Sequence, residues 1–162
     1  MRLHTRFHWS SWVLLTVLSG AFVFFAVPQQ SAAEFSSELQ QALDSSKYVY
    51  IQSERKSGEL GSKAEIWFFE HDGAVWVGTP KSTYRVRRIQ AGRTKAKVWI
   101  GSRDGQSFEA TGSLVKDDAV NEIMFKAFAE KYPDGWPTYE EGFRSGFADG
   151  SRTLVRYDPA GM

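Results

Sequence analysis

Apolar and polar residues alternate with period two over residues 47–54. Tyr48, Tyr50 and Gln52 fall on one side and Val49, Ile51 and Ser53 on the other, the pattern of a strand with one buried face. A loop is predicted over 55–63, where Gly58 and Gly61 interrupt the pattern. Two apolar runs, 65–69 and 74–77, flank His71-Asp72-Gly73, and the Asp-Gly pair supplies the positive φ that a tight hairpin turn needs. Ile66-Trp67-Phe68-Phe69 is apolar on both faces, which predicts a strand covered on both sides by plain core, by a cofactor or by a partner subunit. Residues 95–102 and 107–115 form a second hairpin around Arg103-Asp104-Gly105, with Val98, Ile100, Phe108, Ala110 and Leu114 as its core positions. Alternation returns over 151–158, the last strand.

Helical spacing separates these runs. Residues 34–46 form a short amphipathic helix with Phe35, Leu39, Ala42 and Leu43 on one face, suited to covering one end of a barrel. A turn or two of helix is predicted within 81–92, placing Lys81, Arg85 and Arg88 on one face and Val86 and Ile89 inward. Over 117–131 Asp117 or Asp118 caps a longer helix whose stripe is Val120, Ile123, Met124, Ala127 and Phe128, with Pro133 ending it. Residues 132–150 are rich in glycine and aromatics, with Trp136, Tyr139, Phe143 and Phe147 too apolar to lie free in water and prolines 133 and 137 fixing turns, and predict a loop that serves as a lid or a subunit contact.

The chain of 162 residues fits one domain with a sizeable core, and with no cysteine it has no disulfide, thiol nucleophile or thiolate metal site. Its start reads as a targeting segment. Arg2 and Arg6 precede an uncharged run over 12–27, followed by Ser31-Ala32-Ala33, so residues 1–33 are expected to be a signal peptide cleaved after Ala33. The rival is an N-terminal membrane anchor over residues 7–27. Either way the chain is expected outside the cytoplasm, periplasmic or extracellular, or tethered to the membrane. Domain organisation follows as 1–33 for the targeting segment and 34–162 for the folded domain.

Charge is unevenly placed. Between residues 79 and 97 stand seven basic residues, Lys81, Arg85, Arg87, Arg88, Arg93, Lys95 and Lys97, and no acidic one, whereas the whole chain carries only +1. That balance excludes a bulk nucleic-acid binder, while the local cluster suits a phosphate, because guanidinium groups offer two-pronged donors and Thr79 and Ser82 add hydroxyls. A solvated basic surface is the plain alternative. His71, the one histidine after the targeting segment, sits in a turn with neither nucleophile nor orienting carboxylate in view, and Glu140-Glu141 face different ways on a helix; neither reads as catalytic.

Six strands, a strong helix before the last of them and no room for parallel crossovers describe a mainly β, α+β chain: a six-stranded antiparallel barrel with flanking helices. The segments VYIQSERKSG, EIWFFEHDGAVWVGTPKSTYRVRRI, KVWIG and ATGSLV before a helix resemble the FMN-binding split β-barrels related to pyridoxamine 5′-phosphate oxidase, a superfamily that includes deazaflavin-dependent reductases. Gly92-Arg93 stands where relatives often carry an Asn-Pro turn. The resemblance implies a homodimeric flavoprotein with FMN, or the deazaflavin F420, between subunits, acting as an oxidoreductase on a small molecule. It places Thr79, Lys81, Ser82, Arg87 and Arg88 at the cofactor phosphate, and Trp67 with Phe68 on the strand beside the ring. Arg85 joins the set from the helical spacing. Two other readings fit the same residues: a noncatalytic exported binder of a phosphorylated, haem-like or other anionic ligand, and an exported interaction barrel without cofactor.

Overall fold

The structure, a computed structural model, describes residues 35–161. The predicted targeting segment, its cleavage point and the alternative anchor lie outside the described residues. Among the described residues, no helix is long and apolar enough to cross a membrane.

Chain order is α1 (Ser37–Ser45), β1 (Val49–Ser53), β2 (Ala64–Ile66), β3 (Phe69–His71), β4 (Ala74–Pro80), α2 (Tyr84–Gln90), β5 (Lys95–Ile100), β6 (Ser107–Val115), α3 (Asp118–Lys131), α4 (Trp136–Ala148) and β7 (Arg152–Pro159). The strands form one antiparallel sheet in the order β2-β1-β5-β6-β7-β4-β3. The fold is thus α+β as predicted, its seven-stranded sheet curled into a half-barrel where the sequence predicts a six-stranded split barrel. The extra strand arises because the apolar run over 65–69 is not one strand. Ile66 in β2 pairs with Val49, and Phe69 in β3 pairs with Trp76. Only Trp67 and Phe68 join the two edge strands, so the sheet curls until its edges meet in a single stretch of chain.

This crossing also accounts for the doubly apolar pattern. Phe68 is fully buried in the barrel interior with Val49, Val75, Val98, Val155 and Tyr157. Trp67 turns the other way, stacked on Tyr132 with ring centroids 4.2 Å apart, into a layer built from α3 and α4. Strand β4 alternates likewise, Val75 and Val77 facing the barrel and Ala74 and Trp76 the helices, so neither face meets water. Leu43 of α1 and Val86 of α2 are fully buried and complete the barrel core.

The helix layer differs from the sequence reading in two places. Residues 136–148 form α4 rather than a loop: Pro137 is tolerated in the first turn, where its missing N–H is no loss. Gly146 lets α4 approach β7, since a Cβ there would stand 2.8 Å from the Arg152 side chain. In α3 the buried stripe is Val120, Asn121, Met124, Phe125 and Phe128, while Ile123 is exposed. Asp117 caps α3 as predicted, accepting from the N–H groups of Ala119 and Val120 at 2.9 and 3.2 Å.

Tyr132 fixes the crossing. Its hydroxyl accepts from the Phe68 N–H at 2.9 Å and lies 2.8 Å from the Lys47 carbonyl, to which it donates. Burial pushes this phenol well above its ordinary value. The neighbouring Lys131 ammonium lies 3.4 Å from the centroid of the Phe68 ring, and burial pulls it down to about 8, against the pull of Glu70 and Asp44.

Tyr132→Phe leaves a buried N–H and carbonyl without their partner and should cost about 1–3 kcal/mol, read as a lower urea midpoint. Lys131 gives a pH signature. The unfolded chain takes up this proton near 10.5 and the folded chain only near 8, so stability falls as pH drops between those values and is level below them. Lys131→Met should flatten that slope and raise stability at pH 7, in urea titrations run at pH 7 and pH 9.5.

Candidate functional site

At the end of β4 the chain turns at Pro80, whose carbonyl accepts from both the N–H and the hydroxyl of Thr83, at 3.1 and 2.9 Å. Helix α2 then starts at Tyr84. Val86 anchors it in the barrel core and Ile89 packs beside it against Gly112, where a Cβ would lie 3.1 Å from the Ile89 Cδ1. The helix ends in a Schellman arrangement: Gly92 takes φ +77°, its N–H bonds the Ile89 carbonyl, and the Arg93 N–H bonds the Arg88 carbonyl.

With its apolar side so held, α2 places Arg85, Arg87 and Arg88 along a cleft of about 490 Å³. Arg55, from the loop after β1, lines the same cleft, with hydroxyls from Ser53, Ser62, Ser82 and Thr83. No aspartate or glutamate lines it, and among the described residues none of the four arginines is paired with a carboxylate. Arg88 is braced by the backbone, its Nη1 donating to the Ser53 carbonyl and Oγ, both at 2.9 Å. Burial, then the charges of Arg55 and Arg93, lowers its proton affinity. Arg87 lies over the Tyr84 ring, 4.6 Å from its centroid. The Arg85 Nη1 is buried with no hydrogen-bond partner, beside the equally unpartnered hydroxyl of Tyr157. A concave cluster of like charges with unused donors is arranged to receive an anion.

The predicted site residues divide. Ser82, Arg85, Arg87 and Arg88 meet in this cleft. Thr79 does not line it; that side chain is buried behind, its hydroxyl 3.4 Å from that of Thr83. Lys81 precedes the helix, so the predicted row Lys81-Arg85-Arg88 does not form, and Lys81 lines a separate cleft with Lys116 and Arg152. Trp67 and Phe68 do not line the arginine cleft either: one ring belongs to the helix layer and the other to the barrel core. Arg55, Ser53 and Ser62 are missed by sequence spacing, because β1 and its loop reach α2 only through the folded sheet. His71 ends β3 and lies away from the cleft, 6.0 Å from Trp76 between ring centroids, and Glu140 pairs with Arg144 at 2.8 Å.

No protein-family model matches the chain, and no curated protein matches it in sequence. Solved structures do. A conserved hypothetical protein of Mycobacterium tuberculosis superposes with TM-score 0.59 at 14% identity, over 81% of this chain and 84% of that one. A putative pyridoxamine 5′-phosphate oxidase from Listeria innocua gives 0.55 at 12% identity, over 75% and 90%. The fold is the pyridoxamine 5′-phosphate oxidase-like split barrel. HutZ, the heme storage protein of Vibrio cholerae, has this split barrel too, with TM-score 0.55 at 13% identity over 80% and 93% of the two chains. At such identities the likeness carries the split-barrel architecture alone, and the site stands on its own geometry.

Gly61 offers a local probe of that geometry. A Cβ at this position would come within 2.7 Å of the Arg88 Nη1, the mobile end of a long side chain. Gly61→Ala should therefore fold but push the Arg88 guanidinium off Ser53, losing about 1–2 kcal/mol of stability on denaturation.

Proposed function

We propose that this split barrel binds flavin mononucleotide, with the arginine cleft holding the phosphate, and acts as an oxidoreductase on a small molecule. One observation carries the reading: four arginines and four small hydroxyls converge on a cleft with no carboxylate, and one guanidinium nitrogen is buried without a partner. A phosphate monoester brings close to two negative charges and several acceptor oxygens to those donors. Arg55, Arg85 and Arg87 would contact it, with Ser62, Ser82 and Thr83 supplying hydroxyl donors, while Arg88 keeps its bonds to Ser53 and contributes charge.

Bound flavin supplies the hydride chemistry, so the lack of cysteine and of a histidine in the cleft is no obstacle. The residues of this chain bind and orient, and they set the charge around the cofactor. The ring-side wall is not provided by Trp67 and Phe68 of the same chain. In this reading a second copy completes it, as the resemblance to homodimeric flavoproteins implies, and the work is done outside the cytoplasm, a reading the N-terminal sequence pattern supports. A deazaflavin of the F420 type carries a phosphate as well and is the second cofactor candidate. The likeness to a heme storage protein favours haem less: propionates could meet the arginines, but the one histidine among the described residues is not in the cleft.

Titrating the full-length protein with FMN, followed by flavin fluorescence, tests the reading. Saturable quenching is expected, and Arg85→Gln and Arg55→Gln should each weaken it about tenfold or more and reduce its salt sensitivity. Bleaching of the yellow complex by a nicotinamide donor separates an oxidoreductase from a silent binder. Unchanged affinity in both arginine variants would place the phosphate elsewhere.

A further inference from the structure

The second cleft, about 610 Å³, lies where the start of α3, the end of α4 and the start of β7 come together with Lys81. Phe125, Phe147 and Val115 form apolar walls, and the polar groups are unevenly satisfied. Each carboxylate already has a partner. Asp118 accepts from the Asn121 amide at 3.3 Å, Glu122 pairs with Arg144 at 3.4 Å, and Asp149 accepts from the Ser151 N–H at 2.8 Å.

The cations are not so matched. Among the described residues Lys81, Lys116 and Arg152 meet no carboxylate within ion-pair distance. Arg152 is half-buried, its Nε donating to the Gly142 carbonyl at 3.2 Å and its guanidinium 4.0 Å from the Phe143 ring centroid. Burial lowers its proton affinity, with no anion to restore it. Four cations against three carboxylates leave the lining with an excess of one positive charge, in contrast to the acid-free arginine cleft.

Asn121 adds a second, independent mark. Its side chain is about nine-tenths buried, and because its Nδ2 donates to Asp118 the amide orientation is set, leaving Oδ1 buried with no donor. Such an acceptor is costly unless something donates to it.

We propose that this cleft binds a small organic monocarboxylate with a flat apolar body and an N–H or O–H donor: the carboxylate beside Arg152, Lys81 and Lys116, the body against Phe125 and Phe147, the donor toward Asn121. A single negative charge matches the single excess cation, where a phosphate dianion matches the arginine cleft. The site is independent of the flavin reading.

4-Aminobenzoate, which has a carboxylate, a ring and an N–H donor, is the probe, added to the full-length protein and followed through backbone and Asn121 side-chain amide shifts. Saturable shifts are expected at Asn121, Ser151 and Thr153. Benzoate, lacking the donor, should bind several-fold more weakly. Lys116→Glu and Arg152→Gln should each weaken 4-aminobenzoate about tenfold, and Lys116→Glu should leave the FMN titration unchanged. Asn121→Val, which removes the unpartnered acceptor, should abolish the difference between the two probes. The proposal is overturned by an absence of saturable shifts at these residues, by affinity indifferent to Lys116→Glu and Arg152→Gln, or by inorganic phosphate binding there more tightly than 4-aminobenzoate.

Discussion

Two residues close this barrel. Trp67 and Phe68 are the whole of the link between the sheet's two edge strands, and successive side chains of an extended chain point to opposite sides. One ring therefore enters the barrel and the next enters the helix layer, so the same step that closes the sheet also ties its two apolar clusters together. The Tyr132 hydroxyl, reaching from the end of α3 to the backbone of Phe68 and Lys47, holds the crossing against both layers. Edge strands ordinarily expose a row of unpaired backbone groups. Here both edge strands, β2 and β3, are only three residues long, which keeps that row short.

Once the barrel is closed in this way, the segment from Pro80 to Thr83 separates two environments. Ser82, Thr83 and α2 turn toward β1 and the Arg55 loop, while Lys81 turns toward α3, α4 and β7. Four arginines without carboxylates repel one another and would favour an open structure if they were held only by their own contacts. They are not: Val86 and Ile89 bury the opposite side of α2, and Arg88 is bonded to the carbonyl and hydroxyl of Ser53. Apolar burial and two hydrogen bonds to Ser53, one to its carbonyl and one to its hydroxyl, thus hold in place a charge cluster that is unfavourable by itself, a condition that favours anion binding. The other cleft mixes both signs and keeps one cation in excess, so the two suit anions of different charge.

Much of the architecture was legible in the chain. Alternation marked β1 and β7, Asp-Gly pairs marked both hairpins, and the Asp117 cap with its apolar stripe marked α3, because each of these signals is local. The errors share one cause. A run apolar on both faces looks like a central strand until the partners of Ile66 and Phe69 are known. Residues 136–148 look like a loop because glycine and proline are poor helix formers, and only the approach of α4 to Arg152 explains why Gly146 is needed there. Ile123 and Phe125 exchanged places in the buried stripe because helical periodicity does not say which neighbouring layer arrives.

The candidate site divides along the same line. The sequence by itself determined that positive charge is gathered after β4 and that Arg85, Arg87 and Arg88 share a short helix, since both follow from neighbours along the chain. Only the tertiary structure decided that Arg55 and Ser53 join them, that Lys81 leaves them for another cleft, and that Trp67 and Phe68 serve the core rather than the cleft. Those outcomes depend on strand pairing and on which side of a sheet is covered, contacts between residues far apart in sequence that no local periodicity encodes.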